Sequence, residues 1–161
     1  LPLLLDIQSD NVAARLAALE TVQKLPAPAQ EWGRQRHVML AYGGNVEVFA
    51  RHQFRLHDGF PEIQAFMDRA CGYLLLLELL QNCGPAASTG IPTVVQPSAL
   101  APRMDVSRTH INKLLAAARD QDWLTLEPRG GQMLLEPGFH QRLQHWIALE
   151  LVWTWWLVRA A

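Results

Sequence analysis

The sequence predicts a mostly α-helical chain that carries one small β-hairpin. Two observations lead there. Apolar residues recur at intervals of three and four along the longer stretches between prolines and glycines, the spacing of a helix that buries one face. Two runs of strand-forming residues, WLTLE and MLLEP, flank the turn-forming EPRGGQ, which is a hairpin pattern. Half of the 161 residues are hydrophobic, so there is apolar material for a substantial core, in one ordinary domain or two small ones.

The elements follow in order. Ser9 or Asp10 can cap a first helix whose stripe is Val12, Leu16, Leu19 and either Val22 or Leu25; Pro26 and Pro28 stop it. Glu31 to Ala41 reads as a short helix ended by Gly43 and Gly44. Asn45 then caps a further segment, NVEVFARHQF, read as helix with a strand as the alternative. From His57 to Gly84 the sequence reads as one long helix, with Pro61 near its start. Its first half is amphipathic through Ile63, Phe66, Met67 and Ala70. Its second half, YLLLLELL, is apolar nearly all round and is too short to span a bilayer. IPTVV reads as a short strand, QPSALAPRM as a short helix strained by Pro102, and Gly138 opens a last helix rich in tryptophan. These elements divide the chain into an N-terminal helical region (1–58), a central domain (59–138) and a C-terminal hydrophobic helix (139–161).

Residues 98 to 126 organise the rest. Leu100 and Met104 lie four apart on one helix, and Ala101 is small where two helices must cross. Asp105 falls at the turn, and Asp tolerates a left-handed backbone better than most residues. Val106 follows, and Ser107 can cap the next helix by accepting a backbone N–H. Ile111, Leu114, Leu115 and Ala118 then form one apolar stripe, while Arg108, Thr109, Asn112, Lys113 and Arg119 occupy the other side.

This pattern resembles a helix-turn-helix, the motif that places its second helix in the DNA major groove. The departure is Asp105, where that family usually has glycine. The hairpin that follows is positioned like the wing of a winged helix, so residues 60 to 140 resemble a winged helix-turn-helix with a small β-hairpin wing, flanked by N- and C-terminal helices for dimerisation. The wider resemblance is to bacterial transcription regulators of the broad MarR and PadR type, and within them to the AphA-like branch. It implies a sequence-specific transcriptional regulator that binds palindromic double-stranded DNA as a homodimer. Helix 107–119 would lie in the major groove and wing 127–133 on the backbone or minor groove; some members of the group also sense a small-molecule effector. Ser107, Arg108, Thr109, Asn112 and Lys113 are then the candidate DNA contacts, joined by Arg129 and Gly130 at the wing tip. The alternative is a winged helix that binds another protein and not DNA.

Other chemistries find little support. The net charge of −1 excludes a generally polyanion-binding chain, so a nucleic-acid surface must be local. Cys71 and Cys83 show no paired spacing, which fits a reducing, cytoplasmic setting. The opening LPLLL is too short for a signal peptide and lacks its basic flank. His52 and His57 are five apart, as are His140 and His145, a spacing that does not put two imidazoles on one helical face; no metal site or cofactor is expected. No nucleophile elbow, phosphate loop or dinucleotide fingerprint is present, so the chain does not read as an enzyme. Trp146, Trp153, Trp155 and Trp156 exceed what one small domain should cover with its own core. They are expected to form a homodimer interface and not a membrane contact.

Overall fold

The computed structural model describes residues 2–89, 93–127 and 132–161. The chain is mostly helical with a small antiparallel sheet and forms two compact units. Leu1–Leu56 together with Ile147–Ala161 make a terminal unit, and His57–Trp146 make a central one. The expected boundary at residue 139 is therefore displaced. The last helix is shared, because its first turns bury Phe139, Leu143 and Trp146 in the central unit, whereas Leu157 and Val158 belong to the core of the terminal unit.

In the terminal unit, α1 (Pro2–Glu20) is followed by α2 (Ala29–Trp32) and α3 (Arg36–Arg51). Ser9 and Asp10 do not cap α1; they lie inside it, and the Ser9 hydroxyl donates to the Asp6 carbonyl at 2.9 Å. Val12, Leu16, Leu19, Leu25, Trp32 and Val38 are buried together. Leu25, not Val22, completes the stripe, because α1 has ended and Val22 faces solvent.

Gly43 and Gly44 do not end a helix: α3 runs straight through them. Two interior glycines cost about 1 kcal/mol each relative to alanine. Val38, Met39, Tyr42, Val46 and Phe49 pack on or within the core on both sides of the pair, and that packing outweighs the local cost. The helix stops at Gln53, whose φ of 55° lets the Phe54 N–H reach the Phe49 carbonyl at 3.1 Å. Asn45 caps nothing; its amide donates to the Leu157 carbonyl at 2.7 Å.

A 3-10 turn spans Leu56–Gly59, and the central unit continues with α4 (Pro61–Met67) and α5 (Gly72–Thr89). The single long helix expected over 57–84 is thus broken at residues 68–71, and it passes Gly84. The break is set by Cys71, with φ 58°, and by Gly72. A Cβ at Gly72 would overlap the Phe66 carbonyl, so only glycine lets the chain double back so closely.

Next come β1 (Thr93–Val94), α6 (Pro97–Arg103), α7 (Arg108–Asp120), β2 (Leu124–Leu126), β3 (Gln132–Leu135) and α8 (Pro137–Val158). The strands form one antiparallel sheet in the order β1-β3-β2, with Thr93 opposite Met133 and Leu124 opposite Leu135. Met133, Leu124 and Leu135 are buried, so one face of this small sheet joins the core with Leu75, Leu76 and Leu79 of α5. Arg142 of α8 anchors α4: its guanidinium donates to the buried Glu62 carboxylate and to the Gly59 carbonyl, and it lies 5.1 Å from the centre of the Phe60 ring. The hydrogen bond to Glu62 holds the guanidinium charge more firmly still.

Candidate nucleic-acid interface

The orientation of α7 is fixed at both ends. Asp105 adopts φ 52°, and the Val106 N–H then bonds the Ala101 carbonyl at 3.1 Å, which closes α6 and turns the chain. Ser107 is extended, and its hydroxyl accepts the His110 N–H at 3.1 Å as an N-cap. At the other end Asp122, with φ 56°, lets the Trp123 N–H reach the Ala118 carbonyl at 3.0 Å. Between these caps Ile111, Leu114, Leu115 and Ala118 are buried, and Leu100 and Ala101 of α6 are buried with them. The helix therefore has one rotational setting, in which Arg108, Thr109, Asn112 and Lys113 are exposed.

The cations of the central unit fall into two groups. Arg103 is held by Glu78 through contacts of 2.8 and 3.1 Å, Arg119 by Asp120 at 2.7 Å, and Arg142 by Glu62. Arg119, which the sequence places on the polar side of α7, is thereby engaged within its own chain. Arg69, Arg108 and Lys113 form no ion pair among the described residues. Cations with no carboxylate partner among the described residues are the ones available to an external anion.

Arg129 and Gly130 lie outside the described residues, and so does most of the expected wing, 127–133. Its two ends are described: the Glu127 N–H bonds the Gln132 carbonyl at 2.9 Å, and Met133 is buried.

His110 and Arg69, which the sequence pattern does not single out, belong to this region. The His110 Nε2–H of α7 donates to the Ala70 carbonyl at 2.9 Å, tying α7 to the left-handed turn between α4 and α5. Beside this tie an open groove of about 890 Å3 separates α4 from α7. Buried Phe66, Leu114 and Ala118 line it, as do exposed Arg69 and Lys113. Nothing in the linear pattern joins residue 70 to residue 110, because the apolar residues on both sides of Cys71 and Gly72 carry a helical reading straight through the break.

The tryptophans distribute differently from the expectation. Trp146 is 1% exposed and meets Tyr73 edge-on at 5.7 Å, so it is core of the central unit and has no surface to offer a second copy. Trp153 packs on Phe49 at 4.2 Å and Phe54 at 5.1 Å, and Trp155 on Trp32 at 5.9 Å; both are half-buried by their own unit. Trp156 is 40% exposed and shares its face of α8 with Leu149 (43%) and Val152 (58%), at spacings of three and four.

Cys83 is fully buried, and desolvation, helped by the negative charge of Glu78, pushes its thiol up to about 11. Cys83 therefore stays a thiol and a weak nucleophile at neutral pH. Burial also raises Cys71. Among the described residues no cluster of His, Cys, Asp or Glu is placed to hold a metal ion, and no helix is long and apolar enough to cross a membrane.

No family model matches the chain, and neither curated proteins nor solved structures match it significantly.

Proposed function

We propose that the central unit is a winged helix-turn-helix that reads double-stranded DNA through α7. The observation that carries this reading is the combination of a doubly capped, buried-backed helix with an outward row of Arg108, Thr109, Asn112 and Lys113 that have no partners among the described residues. Arginine and asparagine side chains match the hydrogen-bonding edges of guanine and adenine, and a lysine holds phosphate. The order helix, turn, helix, hairpin, with β1 added to the hairpin, supports the same reading. On it the protein is a transcription regulator of the MarR and PadR type, and a small-molecule effector fits that role.

The same reading includes a homodimer, since a two-fold pair presents two reading helices to a palindromic site. The face supporting it is Leu149, Val152 and Trp156, in place of the buried Trp146. Sedimentation at micromolar concentration is expected to give a dimer mass that Val152→Glu shifts to monomer; a monomeric parent chain would remove this part of the reading.

One observation favours a protein-binding winged helix instead. Residues 57–146 carry seven Lys and Arg against nine Asp and Glu, so the unit as a whole does not attract a polyanion. Selection of bound fragments from random duplex DNA, repeated over a range of salt, separates the two. A recovered sequence preference and an affinity that falls with salt support DNA reading. No enrichment at low salt supports the protein-binding alternative.

A further inference from the structure

We propose that Arg69, carried on the left-handed turn between α4 and α5, is a second phosphate contact of the same DNA interface. The inference rests on the DNA-binding reading of α7 and extends it to a part of the chain outside the helix-turn-helix and its wing.

Three observations lead to it. Among the described Lys and Arg residues of the central unit, three are bound to carboxylates, and the three that are not are Arg69, Arg108 and Lys113. Two of these lie on α7. The third lies next to Ala70, whose carbonyl accepts the His110 Nε2–H of α7 at 2.9 Å. Arg69 is therefore positioned relative to the reading helix by a direct hydrogen bond one residue away. The turn itself is narrowly specified: Cys71 holds φ 58°, and Gly72 admits no side chain against the Phe66 carbonyl. Lastly, Arg69 and Lys113 line the same groove between α4 and α7.

A helix lying in the major groove has a phosphate backbone on each side of it. Arg108 and Lys113 project from the helix itself. A guanidinium on an element tied to one flank of that helix is placed for the strand running along that flank. Arg103, on the first helix of the motif, is occupied by Glu78 and is not available for this. Arginine suits the role because its planar fork pairs with phosphate oxygens and is always charged. A contact of this kind fixes the position of the protein on the duplex and carries no base preference.

The test is equilibrium binding of the full chain to a selected duplex and to a scrambled one, at about 50 and about 200 mM salt. The parent is compared with Arg69→Ala, Arg69→Lys and Arg108→Ala. Loss of one phosphate contact should flatten the salt dependence, so that the parent loses about threefold more affinity than Arg69→Ala between the two salt concentrations. Arg69→Ala should weaken both duplexes by the same factor, Arg69→Lys should recover most of the loss, and Arg108→Ala should change the ratio between the duplexes. Unchanged melting of Arg69→Ala shows that the exposed side chain is not acting through the fold. Parent-like affinity and salt slope in Arg69→Ala, with Arg108→Ala impaired, would overturn the role of Arg69 alone. A parent chain that binds neither duplex would overturn the DNA reading with it.

Discussion

Of the large apolar side chains left exposed among the described residues, eight lie in the terminal unit and two, Leu74 and Val94, in the central unit. Formal charge hardly separates the units: residues 57–146 hold seven Lys and Arg against nine Asp and Glu, and the rest of the chain holds seven against six. The kind of surface is what differs. In the central unit α7 buries Ile111, Leu114, Leu115 and Ala118 and exposes Arg108, Thr109, Asn112 and Lys113, which have no partner among the described residues. In the terminal unit the end of α8 buries Leu157 and Val158 and still exposes Leu149, Val152 and Trp156. An exposed row of unpaired polar groups suits a charged, hydrogen-bonding ligand, and an exposed apolar row suits a second apolar surface. The proposed function would place its two halves on different units.

The largest effect expected from this contrast concerns what the central unit cannot tolerate. Gly72→Ala forces a Cβ into the Phe66 carbonyl, and relief requires the α4–α5 turn to move. A loss of at least about 3 kcal/mol in denaturant unfolding is expected, beyond the usual range for small-to-large changes. A change of a few tenths would show that the turn is loosely held.

Tryptophans on the same helix should then respond according to their unit. Trp146→Ala should cost about 3–5 kcal/mol, as deletion of a fully buried aromatic does. Trp156→Ala should cost less, about 1–2 kcal/mol in the monomer, because its ring is 40% exposed but meets Phe49 edge-on at 5.1 Å. Equal costs in thermal melts would erase the distinction between core and presented face.

These two helices also show why one surface was legible in the sequence and the other was not. The polar side of α7 marks its own outside: Arg108, Asn112 and Lys113 resist burial, so the stripe opposite them had to be core. The end of α8, ALELVWTWWLV, is apolar on every side. Its sequence announces that something must cover it but not which face its own chain covers. Trp146 accordingly reads as an interface residue in the sequence and is core in the structure, and nothing in the sequence singles out exposed Val152. Helix ends were misread for a related reason. Glycine is the evident stop signal at Gly43 and Gly84, yet α3, α6 and α7 end on left-handed Gln53, Asp105 and Asp122. Asp105 and the Ser107 cap were readable because a motif frame surrounded them. Gln53 and Cys71 had no such frame, and tertiary packing decided their backbone.

Smaller effects follow at those caps. Ser107→Ala removes the acceptor for the His110 N–H and should cost about 1 kcal/mol. DNA affinity is expected to fall with it, since the cap sets the start of α7. In the terminal unit, Gly44→Ala should stabilise by about 0.5–1 kcal/mol, because a Cβ there meets no atom within 4 Å. Gln53→Gly should also stabilise, by a similar or smaller amount, by relieving the left-handed glutamine. If Gly44→Ala destabilises, α3 is not the continuous helix described.

The separation of the two surfaces stands or falls on α7. The most direct measurement is fluorescence anisotropy of a selected duplex titrated with the parent chain, Arg108→Ala and Asn112→Ala at matched salt. Each substitution is expected to cost about 1–3 kcal/mol and to relax sequence preference at one position of each half-site, while leaving the melting temperature unchanged. Both variants binding the duplex with the affinity and specificity of the parent would contradict the assignment of α7 as the reading helix.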